Sequence, residues 1–433
     1  MTKGHVWAPD RCNRAQHLAR VKLVRLSQRL REKADAMEAV DEEGAKKLRK
    51  TAYALQQRKA LTKVLPELQA HPSITLTVDD FDQDDFLLNT PGGIVDLRTG
   101  ALRSPDPERL MSKSTAVAPK DMETPQWDQF LYESANGDEE LIAYLQRLMG
   151  YALTGSTQEQ ILAFIHGPTR TGKSTFLDTI ASVFGTYHEA AAAETFSASR
   201  NRGVPADIAA LAGARLVTAS ETQEGKAWDT QRVKSLTGGD RVSARFLYQD
   251  YFTYTPKHQI IITSNHEPTV EGVDEALMRR LHIIPFEHQV PKDAVDRLLK
   301  EKLAEESPGI LQWAIDGCLT WLEEGLNPPP VVLQRTEEYR DEEDLVGRFL
   351  EERCETDDES FVSRKQLWDA WSRWCNRRGE HDQVGSVKTI HKKFRPRMVE
   401  YGFDNTRQMV DGKYRRGYEG LALTSEAEEV FDV

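Results

Sequence analysis

The first part of the chain shows the spacing of an amphipathic helix. Small or apolar residues recur at helical intervals, with arginines between them: Ala15, Ala19, Leu23, Leu26 and Leu30. A second stretch, residues 43–68, repeats the pattern and stops before Pro72, since the residue before a proline resists the helical conformation. We therefore expect an N-terminal helical region over residues 1–73.

The pattern then changes to short strands and turns. Residues 74–78 alternate between apolar and polar positions, and residues 90–100 are rich in turn formers. These features predict a small β-containing module over residues 74–125. The acidic run from Asp79 to Asp85 has the composition of a metal site, but a solvated loop explains it better, so we assign no site there.

Helical patterning returns over residues 126–157, and apolar runs that indicate buried strands follow it. These runs are residues 160–166, 215–221, 259–265 and 281–286. The alternation of such runs with helical segments predicts an α/β core over residues 158–290. Further helices, broken near Pro308, and a proline-rich linker follow over residues 291–335.

The last segment, residues 340–425, combines helices with a strong charge bias. Three helical stretches precede two strands around Asp411-Gly412, which is the order of a winged-helix domain. Between Ser360 and Tyr418 there are 14 Lys or Arg residues against 6 Asp or Glu residues, an excess that indicates phosphate binding. We predict DNA contacts on the third helix and the wing: Lys388, Lys392, Lys393, Lys413 and Arg415. A basic module that docks a protein is the alternative.

Composition excludes several classes of function. The 433 residues are 39% hydrophobic and 29% charged, as in an ordinary globular protein of several domains. No apolar run approaches the roughly 18 residues of a membrane span, so we expect a cytoplasmic protein with no membrane partner. The four cysteines are scattered, which indicates buried thiols rather than a disulfide framework or zinc site. A net charge of −12 argues against a chain that coats nucleic acid with its whole surface.

One motif indicates a nucleotide. The strand candidate 160–166 runs into a glycine loop and then into an apolar-periodic helix, the context in which the pattern G-x-x-x-x-G-K-S is informative. The predicted nucleotide-binding residues are Gly167, Pro168, Thr169, Arg170, Thr171, Gly172, Lys173, Ser174 and Thr175. Lys173 would reach the β- and γ-phosphates of ATP, and Ser174 would offer its hydroxyl to Mg²⁺. A turn without a ligand is the alternative.

Polar residues follow the other strand candidates. Glu221 ends the strand that begins at Arg215, and we expect it to hold Mg²⁺ and orient the attacking water, although a surface glutamate is the alternative. Asn265, at the end of the third strand, could contact the γ-phosphate or the water. Arg279 and Arg280 precede the next strand, where an arginine could act as a finger in a neighbouring subunit's site or form an ordinary salt bridge.

Taken in order, these segments resemble a known family. GPTRTGKST, RLVTASE, LTGGDRVSARFLYQDYFTYTP, IIITSN and GVDEALMRRLHIIPF are similar to the superfamily 3 helicase core of the phage and plasmid primase family, which also resembles poxvirus primase-helicases. The resemblance covers most of the chain. It implies an AAA+ P-loop ATPase core, ring assembly as a homo-oligomer, usually a hexamer, and movement on single-stranded DNA. It also implies that Asn265 is sensor 1 and that Arg280, before Arg279, is the finger.

The resemblance further implies that residues 241–254 form a hairpin that contacts DNA in the ring channel. The residues predicted to bind DNA there are Arg241, Arg245, Tyr248, Gln249 and Lys257, because aromatic and basic side chains together suit stacking on bases and pairing with phosphates. Many hairpins of this family carry Lys or His at the tip, where this chain has Tyr248 and Gln249. A β-hairpin packed in the core is the alternative.

The leading hypothesis is therefore an ATP-dependent DNA helicase of a phage, plasmid or similar element. Its expected partners are single-stranded and forked DNA, further copies of itself, and a primase, polymerase or origin-binding protein. The second hypothesis is an AAA+ origin-binding or remodelling switch that hydrolyses ATP without processive unwinding. About 75 mainly helical residues precede the β-module, too few for a primase domain, so we expect no primer synthesis, whether the chain is a stand-alone helicase or a fragment of a longer primase-helicase.

Overall fold

The N-terminal region is built on a helical hairpin. The computed structural model describes residues 2–3, 5–71, 75–198, 206–220, 227–267, 275–410 and 412–424. Its first elements are β1 (Thr2–Lys3), β2 (Val6–Trp7), α1 (Arg14–Met37), α2 (Glu42–Gln56) and α3 (Arg58–Ala70). The buried small side chains Ala34, Ala45 and Ala52 let α1 and α2 approach closely. The helix predicted over residues 43–68 is thus two helices, with an extended residue, Gln57, between them.

The β-module is an antiparallel meander of β3 (Leu87–Thr90), β4 (Gly93–Asp96) and β5 (Ala101–Arg103). The strand predicted at residues 74–78 is wrong for its described part, because residues 75–77 lie outside strands and a 3₁₀ turn begins at Val78. Two of the five carboxylates of the acidic run form ion pairs: Asp85 with Lys257 at 2.6 Å and Asp84 with Arg98 at 2.9 Å. These two carboxylates therefore hold the acidic run against other segments of the chain.

A parallel sheet forms the centre of the chain. Its strands lie in the order β12 (Leu281–Pro285), β6 (Leu162–His166), β11 (Gln259–Ser264), β8 (Leu216–Ser220) and β7 (His188–Ala190). All neighbours in it are parallel, so the carboxyl ends of these strands share one edge. Burial on both faces explains why the sequence shows continuous apolar runs.

Helices cover both faces of this sheet. They are α4 (Pro125–Ser134), α5 (Glu139–Ala152), α6 (Lys173–Phe184), α7 (Ala206–Ala210), α8 (Thr230–Thr237), α9 (Glu275–Met278), α10 (Leu299–Glu305) and α11 (Ser307–Glu324). The pair α5 and α11 packs closely because Gly150 and Gly317 face each other's helix: a Cβ on Gly150 would lie 2.0 Å from the Cys318 nitrogen. The short hairpin of β9 (Val242–Ala244) and β10 (Phe252–Tyr254) lies outside the sheet.

The helix α12 (Pro330–Glu343) packs against the central sheet and does not form a linker. Tyr339 is buried in the core beneath the sheet, and the Ile283 N–H donates to Thr336 Oγ1 at 3.0 Å. The segment predicted to connect two domains is therefore a packed helix that spans the expected boundary at residues 335–340. None of the helices in the described ranges combines the length and apolar character needed to cross a bilayer.

The C-terminal domain has its own aromatic core. It comprises α13 (Leu345–Arg353), β13 (Cys354–Ser363), α14 (Arg364–Arg378), α15 (Val387–Glu400), β14 (Asp404–Val410) and β15 (Lys413–Leu423), with sheet order β13-β15-β14. The three helices and the final hairpin agree with the sequence pattern, whereas β13 was not expected. Asp344 caps α13 through the Gly347 N–H at 2.9 Å and also pairs with Arg397 on α15 at 2.5 Å.

Candidate functional site

The glycine loop, residues 167–174, connects the carboxyl end of β6 to the start of α6. Two of its glycines lie where no side chain fits. A Cβ on Gly167 would lie 1.9 Å from the Phe286 carbonyl oxygen, and a Cβ on Gly172, at φ 91°, would lie 2.6 Å from Ser134 Oγ. The loop is therefore held between the end of β12 and α4, and its shape depends on glycine at both positions.

The Lys173 side chain is directed into this loop. Its ammonium donates to the carbonyl oxygens of Gly167 and Pro168, both at 2.6 Å, and to Thr171 Oγ1 at 3.3 Å. The residue is only 7% exposed, and burial lowers the pKa of the ammonium. A positive charge is thus concentrated at the end of α6 where the helix dipole is also positive.

The first turn of α6 adds backbone donors to the lysine. The Phe176 N–H donates to the Gly172 carbonyl at 2.8 Å, which is the first bond of the helix, so the amides of residues 173–175 have no acceptor within it. Ser174 is exposed beside them. A cleft of about 480 Å³ opens next to the loop, between α4 and residues 288–300, and Arg170 and Thr175 are among its lining residues.

The strands β8 and β11, which precede the predicted polar residues, end at the same edge of the sheet. Ser220 pairs with Thr263, and Ser264 pairs with His166, so β6, β8 and β11 end side by side. Asn265 follows this edge directly and is exposed. The prediction for Glu221 lies outside the described residues. Within the described ranges, no three potential metal-binding side chains converge on one position.

A charged network beside the loop was not anticipated from the sequence. The Arg335 guanidinium on α12 lies 2.6 Å from Glu267 Oε1, and the same oxygen lies 3.4 Å from Nδ1 of His166, the last residue before the loop. Burial raises the pKa of Glu267 and lowers the pKa of His166. Glu267 and Arg335 are 68 residues apart, so only the fold brings them together.

Arg279 and Arg280 lie at the opposite edge of the sheet from the glycine loop. Leu281 pairs with Leu162, at the amino end of β6, whereas His166 at the other end leads into the loop. The Arg280 guanidinium donates to the Ala276 carbonyl at 2.7 Å and to Gln160 Oε1 at 2.9 Å, and Arg279 is exposed. Neither arginine pairs with a carboxylate of a described residue. Four residues of strand, about 13 Å, separate them from the loop.

The tip of the β9–β10 hairpin is exposed. Tyr248 is fully exposed with a φ of 62°, Gln249 is also exposed, and the Arg245 guanidinium lies 4.7 Å from the ring centroid of Tyr251. The tip is therefore not packed in the core. Arg241, by contrast, donates to Thr253 Oγ1 at 3.0 Å near the base of the hairpin. Lys257 lies beyond the hairpin, whose second strand ends at Tyr254, and its ammonium is bound to Asp85.

Four of the five basic residues predicted to bind DNA in the C-terminal domain are fully or partly exposed to solvent. Lys388, Lys392 and Lys413 are exposed, and Arg415 is half-buried. Lys393 differs, because its ammonium donates to the Gln383 carbonyl at 3.0 Å and lies 4.8 Å from the ring centroid of Trp371. Burial lowers the pKa of Lys393. Its side chain therefore holds α15 against α14.

Three family models match successive parts of the chain. The family described as D5 N terminal like matches residues 2–134, a family of unknown function (DUF5906) matches residues 165–280, and the family described as Poxvirus D5 protein-like matches residues 341–421. The C-terminal region of NrS-1 aligns in structure with a TM-score of 0.49 and 10% identity, covering 84% of this chain and 89% of that one.

Viral relatives are similar to more than half of the chain. "Putative helicase L207/L206" of Acanthamoeba polyphaga mimivirus is 24% identical over 301 residues, covering 63% of this chain and 31% of the relative. "Putative helicase 022R" of Frog virus 3 (isolate Goorha) is 23% identical over 278 residues, covering 59% and 28%. The chain thus spans about a third or less of these relatives' length. The chain is thus similar to poxvirus D5-type families at both ends, and viral proteins named as putative helicases are similar to it.

Proposed function

We propose that this chain is an ATP-hydrolysing DNA helicase that acts in the replication of a virus, phage or other mobile element. The relatives named as helicases support the general activity. The observation that carries the proposal is the Lys173 ammonium, buried in a loop that only glycine can form and set beside unbonded amides of α6. Such a concentration of positive charge and donors suits the β- and γ-phosphates of ATP.

The residues of the loop fit a magnesium–nucleotide complex. Lys173 and the amides of residues 173–175 would bind phosphate oxygens, and the exposed Ser174 hydroxyl would be a ligand of the metal, together with Glu221. Mg²⁺, when bound, neutralises charge that develops on the phosphates. Glu221 would also orient the attacking water, and Asn265, which follows β11, would contact the γ-phosphate or that water. The cleft beside Arg170 has room for the remainder of the nucleotide.

We further propose that sites are completed between subunits. Arg280 lies about 13 Å of strand away from its own loop, so its guanidinium cannot reach its own nucleotide without rearrangement. An AAA+ ring, with six copies as the expected number, would bring Arg280 of one copy to the loop of the next.

The proposed DNA contacts are of two kinds. The exposed tip with Arg245, Tyr248 and Gln249 would hold single-stranded DNA in the ring channel, where aromatic and basic side chains combine stacking with phosphate pairing. The C-terminal domain, as a winged helix, would contact DNA through Lys388 and Lys392 on α15 and through the β14–β15 hairpin. Lys393 is excluded from this proposal by its contacts with Gln383 and Trp371.

The first test uses Lys173→Ala with Lys47→Ala, an exposed N-terminal lysine, as the control. We expect Lys173→Ala to abolish ATP turnover and the unwinding of forked DNA, and Lys47→Ala to retain both. ATP turnover without strand separation in the unsubstituted protein would favour a remodelling switch. A protein that neither binds nor hydrolyses ATP would refute the proposal.

A second test addresses the shared site. Lys173→Ala and Arg280→Ala should each be inactive alone, but mixed rings contain some interfaces with both native residues. We therefore expect ATP turnover to recover on mixing the two variants. If mixing restores nothing although mixed oligomers form, Arg280 does not act across the interface.

A further inference from the structure

The β14–β15 hairpin exposes an unusual set of side chains on one face. In its register Met409 lies opposite Tyr414, and Arg407 lies opposite Arg416. Because side chains alternate along a strand, these four residues share a face, which we call the wing platform. Met409 is 58% exposed and Tyr414 is 60% exposed, so the platform presents apolar surface directly beside charge.

The two arginines of the wing platform face each other without a described counter-charge. Like charges directly opposite in a ladder repel, and neither Arg407 nor Arg416 pairs with a carboxylate in the part of the chain that the structure describes. Arg407 lies 5.1 Å from the ring centroid of Tyr414, which orients its guanidinium along the aromatic surface. An anion between the arginines would convert this repulsion into attraction.

Further positive charge adjoins the platform at its inner end. On the same face, Asn405 pairs with Tyr418, and the Tyr418 hydroxyl lies 3.0 Å from Nδ1 of His391 on α15. Arg364 donates to Asn405 Oδ1 at 3.0 Å. Burial lowers the pKa of His391, and the nearby guanidinium groups of Arg364, Arg395 and Arg416 lower it further. The platform is thus continuous with the basic side of α15.

We infer that the wing platform binds an unpaired nucleotide, with the base on Tyr414 and Met409 and the neighbouring phosphate between Arg407 and Arg416. This inference rests on the proposed role of the C-terminal domain in binding DNA, and it adds the form of DNA that is recognised. Inside a duplex the faces of the bases are covered by their neighbours, so an aromatic ring gains stacking area only at a single strand or a duplex end. The platform would therefore bind the junction of a fork.

The test compares the full chain on two DNAs of equal duplex length, one blunt and one with a single-stranded tail. The variants are Tyr414→Ala and Tyr414→Phe, and Tyr53→Ala, an exposed tyrosine of α2, is the control. We expect Tyr414→Ala to weaken binding to the tailed DNA by about 5- to 100-fold, the effect of one lost stacked base. Tyr414→Phe and Tyr53→Ala should bind like the parent. A 2-aminopurine base next to the junction should be quenched by the parent and by Tyr414→Phe only.

Binding to the blunt duplex should not change in Tyr414→Ala. An equal loss on both DNAs would overturn the inference in favour of an ordinary duplex contact. No loss on either DNA would overturn it in favour of a surface for a protein partner. A parent protein that binds no DNA would instead refute the proposed function, whereas a parent that binds DNA and ignores Tyr414 refutes the platform alone.

Discussion

Replacing Arg215 by methionine should cost far more stability than a single side chain usually does. Arg215 is 4% exposed, and its guanidinium donates to the carbonyl oxygens of Leu153 at 2.6 Å and Leu87 at 2.9 Å. It also lies 4.6 Å from the ring centroid of Tyr187. One side chain thus joins the end of α5, the β-module and the start of β8. Methionine keeps most of the apolar stem but removes every donor.

The expected loss follows from the two short hydrogen bonds. A bond from a charged donor contributes about 1.5–3 kcal/mol, so two of them account for about 3–6 kcal/mol. The net loss in unfolding free energy is smaller, because the variant no longer has to desolvate a buried charge on folding. We expect a net loss of about 3–5 kcal/mol, or a fall in Tm of about 10 °C for a unit of this size.

Arg98→Met is the matched control. Arg98 contacts the same segment, with Asp84 at 2.9 Å and the Phe86 ring at 4.5 Å, but its side chain is 48% exposed. Such exposed pairs contribute about 1 kcal/mol or less. Urea unfolding and calorimetry of both variants measure the difference. Equal losses in the two variants, or a loss under about 1 kcal/mol for Arg215→Met, would refute the reasoning that burial makes the contribution of Arg215 to stability large.

Three further changes have defined outcomes. Gly167→Ala forces a Cβ to within 1.9 Å of the Phe286 carbonyl, so the affinity for an ATP analogue should fall at least about 10-fold in a binding titration; unchanged affinity would contradict the loop geometry. Glu267→Gln and Arg335→Met should each cost about 1–3 kcal/mol in urea unfolding, and the double variant should lose less than their sum if the pair acts as a unit. Burial lowers the pKa of His258 to about 4, below its value of about 6.5 in the unfolded chain. The stability that His258 contributes is therefore fully present above pH 6.5 and is lost as the pH falls towards 4. His258→Leu should reduce the difference in unfolding free energy between pH 7 and pH 5 by about 2 kcal/mol.

The central strands were predictable because burial on both faces leaves a continuous apolar run. The runs 160–166 and 259–265 correspond within two residues to β6 and β11, and the loop that follows β6 lies between strand and helix as expected. The short strand β7, His188–Ala190, gave no signal, since three residues without β-branched side chains carry no alternation. The order of strands in the sheet is a tertiary property that periodicity does not encode.

Errors arose where solvent exposure or distant contacts decide the structure. Strand β13 includes an acidic stretch, residues 355–359, that is exposed and has no apolar alternation. The strand forms because residues 354–356 and 361–363 at its two ends pair with β15, with a register shift between them. Lys393 looked like its neighbours on a basic helix, but Trp371 of α14 lies beneath it. Glu267 and Arg335 could not be linked at all before the fold placed α12 beside the glycine loop.

The double role of Asp344 has a mechanical consequence. Asp344 is the single residue between α12 and α13. Its carboxylate caps α13 and pairs with Arg397 of α15. Because α12 is itself fixed to the outermost strand of the sheet, a shift of that strand would be passed on to α15, the helix proposed to contact DNA, instead of being absorbed by a flexible linker. If the proposed function is correct, glycines inserted between α12 and α13 should reduce unwinding of DNA more than ATP hydrolysis, with both domains still folded.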